Sequence, residues 1–470
     1  MAAPPRTDAL RGMLRAPSLA PLLGDAALLS AMLRFEAALA LAQADHGLVP
    51  RPAAETIERV CMALAADPSP LDPAGLAQQA RRASTLAIPF VKRLTDVVAA
   101  VDTEAGRYVH LGATSQDVID SATSLVLRDA GRAVDPLLRH LAGALAALAD
   151  RHRRTPMTGR TLLQAAVPIS FGWKAAGWLA QTMRTRRALA ELIDAHALLQ
   201  FGGASGTLAA LGTDAAALTA LLAQRLGLPP APISWHGARD GFARIGAELA
   251  VLCGGMARIG RDVSLLMQPE VAEAFEPAGA GRGASSAMPH KRNPVGSMLA
   301  LEAAYRAPGL AATLLGELAS EHERGLGTWQ HSAFVLFDLF DAAGSAVDAI
   351  VEVMDGLRLD TAAMRANLDA RQGFVYAEAL AMRLAETLGK AAAQQRVEAL
   401  CRQALDRGIS LPQALADDAE LMSRPDAAQL ADVFEPSAQL AGADAMIDAV
   451  LAQWRTGEPG RAGEPEQPGG

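Results

Sequence analysis

Between Arg239 and Gln268 the chain carries Ile245, Leu249, Leu252, Met256, Ile259, Val263 and Leu266, spaced alternately four and three residues apart. That period lines one face of a long α-helix and forms a coiled-coil seam. At 1.5 Å per residue, a helix of this size is about 40 Å long, more than an ordinary globular helix. Further long helices are read at about 116–150, from Ser170 to about Leu199, where FGGASG interrupts, and at about 294–320 and 331–355. Ala is abundant, aromatic residues make up only 4%, and alternating β-branched runs are nearly absent. That balance favours helices over sheets. The expected fold is all-α, with an extended bundle of long helices.

The stretch before this bundle is different, since Pro50, Pro52, Pro68, Pro70, Pro73 and Pro89 divide it into short helical pieces. We read residues 1–112 as an N-terminal helical domain and 113–356 as the central bundle. Residues 357–452 are then a C-terminal helical domain, and the Gly-, Pro- and Glu-rich 453–470 a disordered tail. A chain of 470 residues exceeds what one core supports, so several domains are expected.

Several function classes are disfavoured. The net charge of -8 argues against a nucleic-acid partner, which needs a basic face, although a local positive cleft can still draw in an anion. No window is apolar enough to span a bilayer, and the opening residues lack the apolar run of a signal peptide. Neither membrane association nor export is expected, which leaves the cytoplasm. Cys61, Cys253 and Cys401 lie far apart in apolar stretches and read as reduced core residues. His152 and His196 have no partner at metal-ligand spacing, HERG at 322–325 lacks a second His, and no phosphate-binding Gly motif follows a strand. Neither a metal nor a nucleotide cofactor is expected.

The chemistry concentrates in residues 279–294, GAGRGASSAMPHKRNP. Glycines make the segment pliable, and a serine pair precedes Lys291, Arg292 and Asn293. Such a loop can close over an anion and surround it with hydroxyls, a cation and an amide. On composition alone, a solvated linker with unrelated charges is as good a reading.

The order of residues decides between them. SSAMPHKRNP resembles the S-S-x-M-P-x-K-x-N-P signature of the fumarase/aspartase superfamily, with Ala284 where many members have Gly. The resemblance implies that Ser285 moves a proton at the carbon next to a carboxylate. Lys291 and Asn293 would hold that carboxylate as an aci-carboxylate, with Ser286 beside them. HLGATSQD at 110–117 is similar to the segment whose Thr and Ser, here Thr114 and Ser115, bind a substrate carboxylate. A helix N-cap is an alternative role compatible with that one. TGRTLLQAAVPISF at 158–171 resembles the G-R-T-H-x-Q-x-A-x-P segment of adenylosuccinate lyases, which brings in Arg160, Thr161 and Gln164. The superfamily further implies a homotetramer whose active sites each draw on three subunits, with the long helices at its core.

Two departures narrow the branch. Leu162 stands where adenylosuccinate lyases have a histidine, and a second family histidine falls at Thr85. The chain instead resembles the 3-carboxy-cis,cis-muconate cycloisomerases, which lack the first histidine. Ile88–Val91, LQFGGASGTLAALG at 199–212, SWHGARD at 234–240, SEHERGLGTWQ at 320–330 and 435–451 carry that likeness. By the same resemblance, adenylosuccinate lyases place a Ser and a second Arg where this chain has Trp329 and Ala333. Without them a phosphate loses charge-assisted hydrogen bonds of about 1.5–3 kcal/mol each.

The reaction implied by the resemblance also dispenses with the histidine. The nucleophile is a substrate carboxylate with an unperturbed pKa of about 4, already ionised near neutral pH. For a tricarboxylate substrate, Arg160, His290, Arg292, Arg324 and His236 are expected to line the cleft, with a surface salt bridge as the alternative for each. An adenylosuccinate-type lyase, or a superfamily bundle kept for structure alone, are the competing functions.

Overall fold

The computed structural model describes residues 12–279, 281–284, 287–288 and 290–457. Helices dominate. Those of nine residues or more are, in chain order, α1 (Asp25–Asp45), α2 (Arg51–Ala66), α3 (Pro73–Ala83), α4 (Ala87–Val101) and the long α5 (Ser115–Arg151). The strands β1 (Pro156–Thr161) and β2 (Gln164–Ser170) lead into α6 (Phe171–His196). There follow α7 (Ala215–Leu226), α8 (Asp240–Leu266), α9 (Val295–Gly316), α10 (Ser332–Asp355), α11 (Thr361–Asp369), α12 (Ala377–Leu388), α13 (Lys390–Arg407) and α14 (Pro436–Thr456).

The five long helices fall within a few residues of where the sequence places them. Every residue of the seam in α8 is buried. The prolines before α5 work as read: Pro52 stands in the first turn of α2 and Pro73 opens α3, where a missing N–H costs nothing. Asp72 caps α3 by accepting from the Gly75 N–H at 3.1 Å. Among the described residues no helix is long and apolar enough to cross a membrane. Of the tail expected to be disordered, Gln453–Thr456 instead close α14, and from residue 458 on it lies outside the described residues.

The chain forms two compact units. The first comprises the described residues up to Leu138 with Arg184–Arg258 and Met298–Ala349. Its core joins Phe35, Leu39, Ile57 and Phe90 to Val118, Leu125, Leu222 and Trp329. The second comprises Arg139–Met183, Ile259–Ser297 and the described residues from Ile350 on. A core of Leu380, Leu384, Val397, Leu411 and Leu430 gathers its C-terminal helices.

Among the described residues two places depart from the helical expectation, a short antiparallel pair of Ala274–Phe275 with Arg358–Leu359 and a longer hairpin. Residues 156–170 form an antiparallel hairpin, with Thr161 opposite Gln164 and Leu162 and Leu163 alone in the turn. Both leucines have positive φ, 51° and 63°, as a mirror-image two-residue turn demands. That turn ordinarily carries Asn and Gly, so Leu-Leu gave no hairpin signal.

Candidate active site

In the first unit, Thr114 and Ser115 stand at the start of α5 and Asp117 in its first turn. Asp117 is fully buried, and an unpaired carboxylate there would be prohibitively costly. It is surrounded by donors. Its Oδ2 accepts from the backbone N–H of Thr114 (3.0 Å) and Gly203 (2.9 Å). Its Oδ1 takes the Gly202 N–H (3.0 Å) and His236 Nε2 (2.8 Å). Gly202 has no room for a side chain, because a Cβ would lie 2.5 Å from Ser234 Oγ and 2.9 Å from His236 Cε1. The FGGASG interruption after α6 therefore lets backbone amides reach a buried anion.

Arg324 comes to the same turn, donating from Nη1 to Thr114 Oγ1 at 3.1 Å and from Nη2 to the Ala204 carbonyl. His236 sits behind it. Its side chain is only 1% exposed, and Nδ1 lies 3.1 Å from Ser234 Oγ. Of the residues expected to bind substrate, Thr114, Arg324 and His236 thus form one cluster, with His236 facing Asp117.

A second buried network adjoins it in the same unit. Gln116 donates to the His236 carbonyl (3.0 Å) and to Asp120 (2.9 Å). Arg239, fully buried, makes a bidentate pair with Asp120 at 2.6 and 3.1 Å and donates to Ser332 Oγ at 3.0 Å. Its guanidinium lies 5.2 Å from the Trp235 ring and 5.0 Å from that of Phe242. Ser332 donates to Glu317 at 2.6 Å, and Glu317 lies 3.0 Å from His331 Nε2. Burial raises the Glu317 pKa above the usual carboxylate range, although the Ser332 hydroxyl and the Arg239 charge oppose the shift. Trp329 and Ala333 are also buried, and both belong to the apolar core.

In the second unit, the Arg160 guanidinium is paired within the chain, donating to both oxygens of buried Glu273 at 2.9 and 2.6 Å. Asn367 donates to the same carboxylate at 2.8 Å. Thr161 and Gln164 flank the hairpin tip, where Leu162 is 96% and Leu163 79% exposed.

The loop expected to carry the chemistry is drawn together at its base. The Asn293 N–H donates to the Gly283 carbonyl at 2.9 Å, and Ala284 bridges Arg292. Gly283 has φ 64° and is crowded by the Asn293 carbonyl, so no side chain fits. Glu276 holds the loop's exit, accepting from the N–H groups of Gly296 (3.0 Å) and Ser297 (2.8 Å) at the start of α9. His290, Lys291 and Arg292 are exposed and Asn293 is half-buried. Ser285 and Ser286 lie outside the described residues.

The sequence reading missed Asp117, Asp120, Arg239, Glu273 and Glu276 as site-building residues. The available signal was Asp117 and Asp120, three residues apart and so on one face of the helix start. Among the described residues no group of His, Cys, Asp and Glu could hold a metal ion.

The family pattern described as lyase matches residues 16–309, and that of the adenylosuccinate lyase C-terminus matches 373–450. A 3-carboxy-cis,cis-muconate cycloisomerase of Bradyrhizobium diazoefficiens is 46% identical over 93% of this chain and 97% of its own length. A nitrosuccinate lyase of Streptomyces davaonensis is 43% identical over 91% of this chain and 90% of its own. The crystal structure of the 3-carboxy-cis,cis-muconate lactonizing enzyme from Pseudomonas putida superposes with a TM-score of 0.88 at 38% identity. That match covers 96% of this chain and 99% of the other.

Proposed function

The chain belongs to the lyase family that includes the 3-carboxy-cis,cis-muconate cycloisomerases, and from that premise we infer its reaction and the roles of its residues. It is an intramolecular lyase that interconverts 3-carboxy-cis,cis-muconate and 4-carboxymuconolactone, a step of protocatechuate degradation. The observation that carries this reading over a nucleotide lyase is the burial of Trp329 and Ala333 in the apolar core. A phosphate at those positions would meet neither a hydroxyl nor a cation.

In the lactonising direction, one carboxylate oxygen of the substrate bonds to the carbon that closes the ring, and the adjacent carbon takes a proton. The attacking group is already an anion, so Leu162 in place of a histidine removes nothing the step requires. Ser285 delivers the proton. Lys291 and Asn293 stabilise the aci-carboxylate as charge builds on it, where preorganised donors act most strongly. An alkoxide at Ser285 is costly unless Lys291 and the loop amides stand close. Thr114, Ser115 and Arg324 hold a second carboxylate, and Arg292 and His290 face the third with Ser286, Thr161 and Gln164.

The working form is a homotetramer in the cytoplasm, with sites shared between three subunits. Support for assembly comes from large apolar side chains left exposed on long helices, among them Val251, Met298, Tyr305, Leu315 and Phe334. The test is an ultraviolet assay of purified protein with 3-carboxy-cis,cis-muconate. Loss of diene absorbance with appearance of the lactone is expected, and an unchanged spectrum overturns the reading. Nitrosuccinate and adenylosuccinate, run in parallel, are expected to give no comparable rate.

A further inference from the structure

We propose that Asp117 and His236 are a positioning pair that sets the carboxylate-binding turn of Thr114 and Arg324, an inference that builds on the cycloisomerase reading. An ionised carboxylate offers about four acceptor sites, and Asp117 has four donors within 3.0 Å. It is fully buried and saturated, so substrate is out of its reach. Its effect is on its neighbours. Three of the donors are backbone amides, of Thr114 on one side and of Gly202 and Gly203 on the other. Arg324 spans the same two segments, with Thr114 Oγ1 at one end and the Ala204 carbonyl at the other. Asp117 thus fixes the separation that the Arg324 fork must fit.

His236 completes the carboxylate's shell and is itself held. An ionised Asp117 carries no proton, so Nε2 must be the donor in this contact. Nδ1 faces the Ser234 hydroxyl at 3.1 Å, and that hydroxyl also lies 3.3 Å from Gln200 Oε1. The Trp235 N–H, donating to Gln200 Oε1 at 3.1 Å, turns the amide oxygen this way. Ser234 can therefore donate either to Nδ1 or to Gln200. The ring keeps its bond to Asp117 whether or not Nδ1 is protonated. Backbone amides and imidazole together offset a buried negative charge directly behind a turn that must receive an anion.

The experiment compares wild type with Asp117→Asn, His236→Leu and His236→Gln, each checked for folding by circular dichroism. Two quantities are read: the KM and kcat for 3-carboxy-cis,cis-muconate, and the calorimetric Kd for tricarballylate, an unreactive tricarboxylate. His236→Leu is expected to raise both KM and Kd about tenfold or more while kcat stays within about threefold. His236→Gln, which can still donate to Asp117, is expected to recover most of that loss. Asp117→Asn, which sets an amide against backbone N–H groups, should weaken binding at least as much as His236→Leu.

Unchanged KM and Kd in a folded His236→Leu protein overturn the proposal. So does a fall in kcat alone, or a His236→Gln protein no better than His236→Leu. Should His236→Leu not fold, wild-type affinity in Asp117→Asn overturns it. A wild type that binds tricarballylate but leaves the muconate unchanged defeats the cycloisomerase reading and leaves the Kd comparison to decide the pair.

Discussion

The turn at the start of α5 and the loop at 281–294 hold their charges in opposite ways. At the turn, Asp117, Asp120 and Arg239 are fully or almost fully buried and each is matched by partners from distant parts of the chain. In the loop, His290, Lys291 and Arg292 are exposed, and the described hydrogen bonds at its base run through the backbone. The first arrangement gains fixed geometry at the expense of desolvation. Lys291 and Arg292 keep their charges in water, where they cost little until an anion replaces that water, whereas Arg282 at the loop's entry is paired with Glu276 and Glu352.

The largest effect expected is at the buried network. Arg239→Ala leaves Asp120 and Glu317 without their cation and should cost about 3–5 kcal/mol of stability, read as a shift in the urea unfolding midpoint. A shift within experimental error would break the contrast. Lys291→Ala should do the reverse, lowering kcat by about 100- to 1000-fold while the unfolding midpoint stays in place. Loss of stability without loss of turnover would return the loop to a plain connector.

A third expectation concerns pH. His110 Nδ1 lies 2.6 Å from Glu36. Burial works against the charged ring, but the Glu36 charge and hydrogen bond outweigh it and raise the His110 pKa. A raised histidine pKa stabilises the fold fully below the unfolded value of about 6.5, and that contribution is lost as pH rises through the folded value. The unfolding midpoint of wild type should therefore fall over that window relative to Glu36→Gln. Parallel profiles would refute the coupling. The smallest effect is at the hairpin tip. Leu162→Asn with Leu163→Gly suits the positive φ of both positions and should raise stability by about 1 kcal/mol, seen as a higher melting temperature.

Much of the fold was legible because a helix repeats over consecutive residues. The seam in α8 is visible in seven apolar positions, and the breaks before α5 in six prolines. The hairpin was not, since Leu162 and Leu163 adopt a turn that their own preferences oppose, and pairing of β1 with β2 overrides them. The candidate site divides similarly. Thr114 and Arg324 were found through motifs and meet in the structure. His236 was expected to line a cleft and lies against Asp117, and Arg160 is paired with Glu273.

The sequence by itself determined the helical period, the loop composition and the absence of a histidine at position 162. Those are properties of neighbouring residues, and neighbours encode them directly. Only the tertiary structure decided which charges are buried and what neutralises them. Asp117 takes its partners from 85, 86 and 119 residues away, and no local pattern records a hydrogen bond that exists only once those segments have met. Burial makes such bonds obligatory, because a carboxylate removed from water must find its donors wherever the fold brings them.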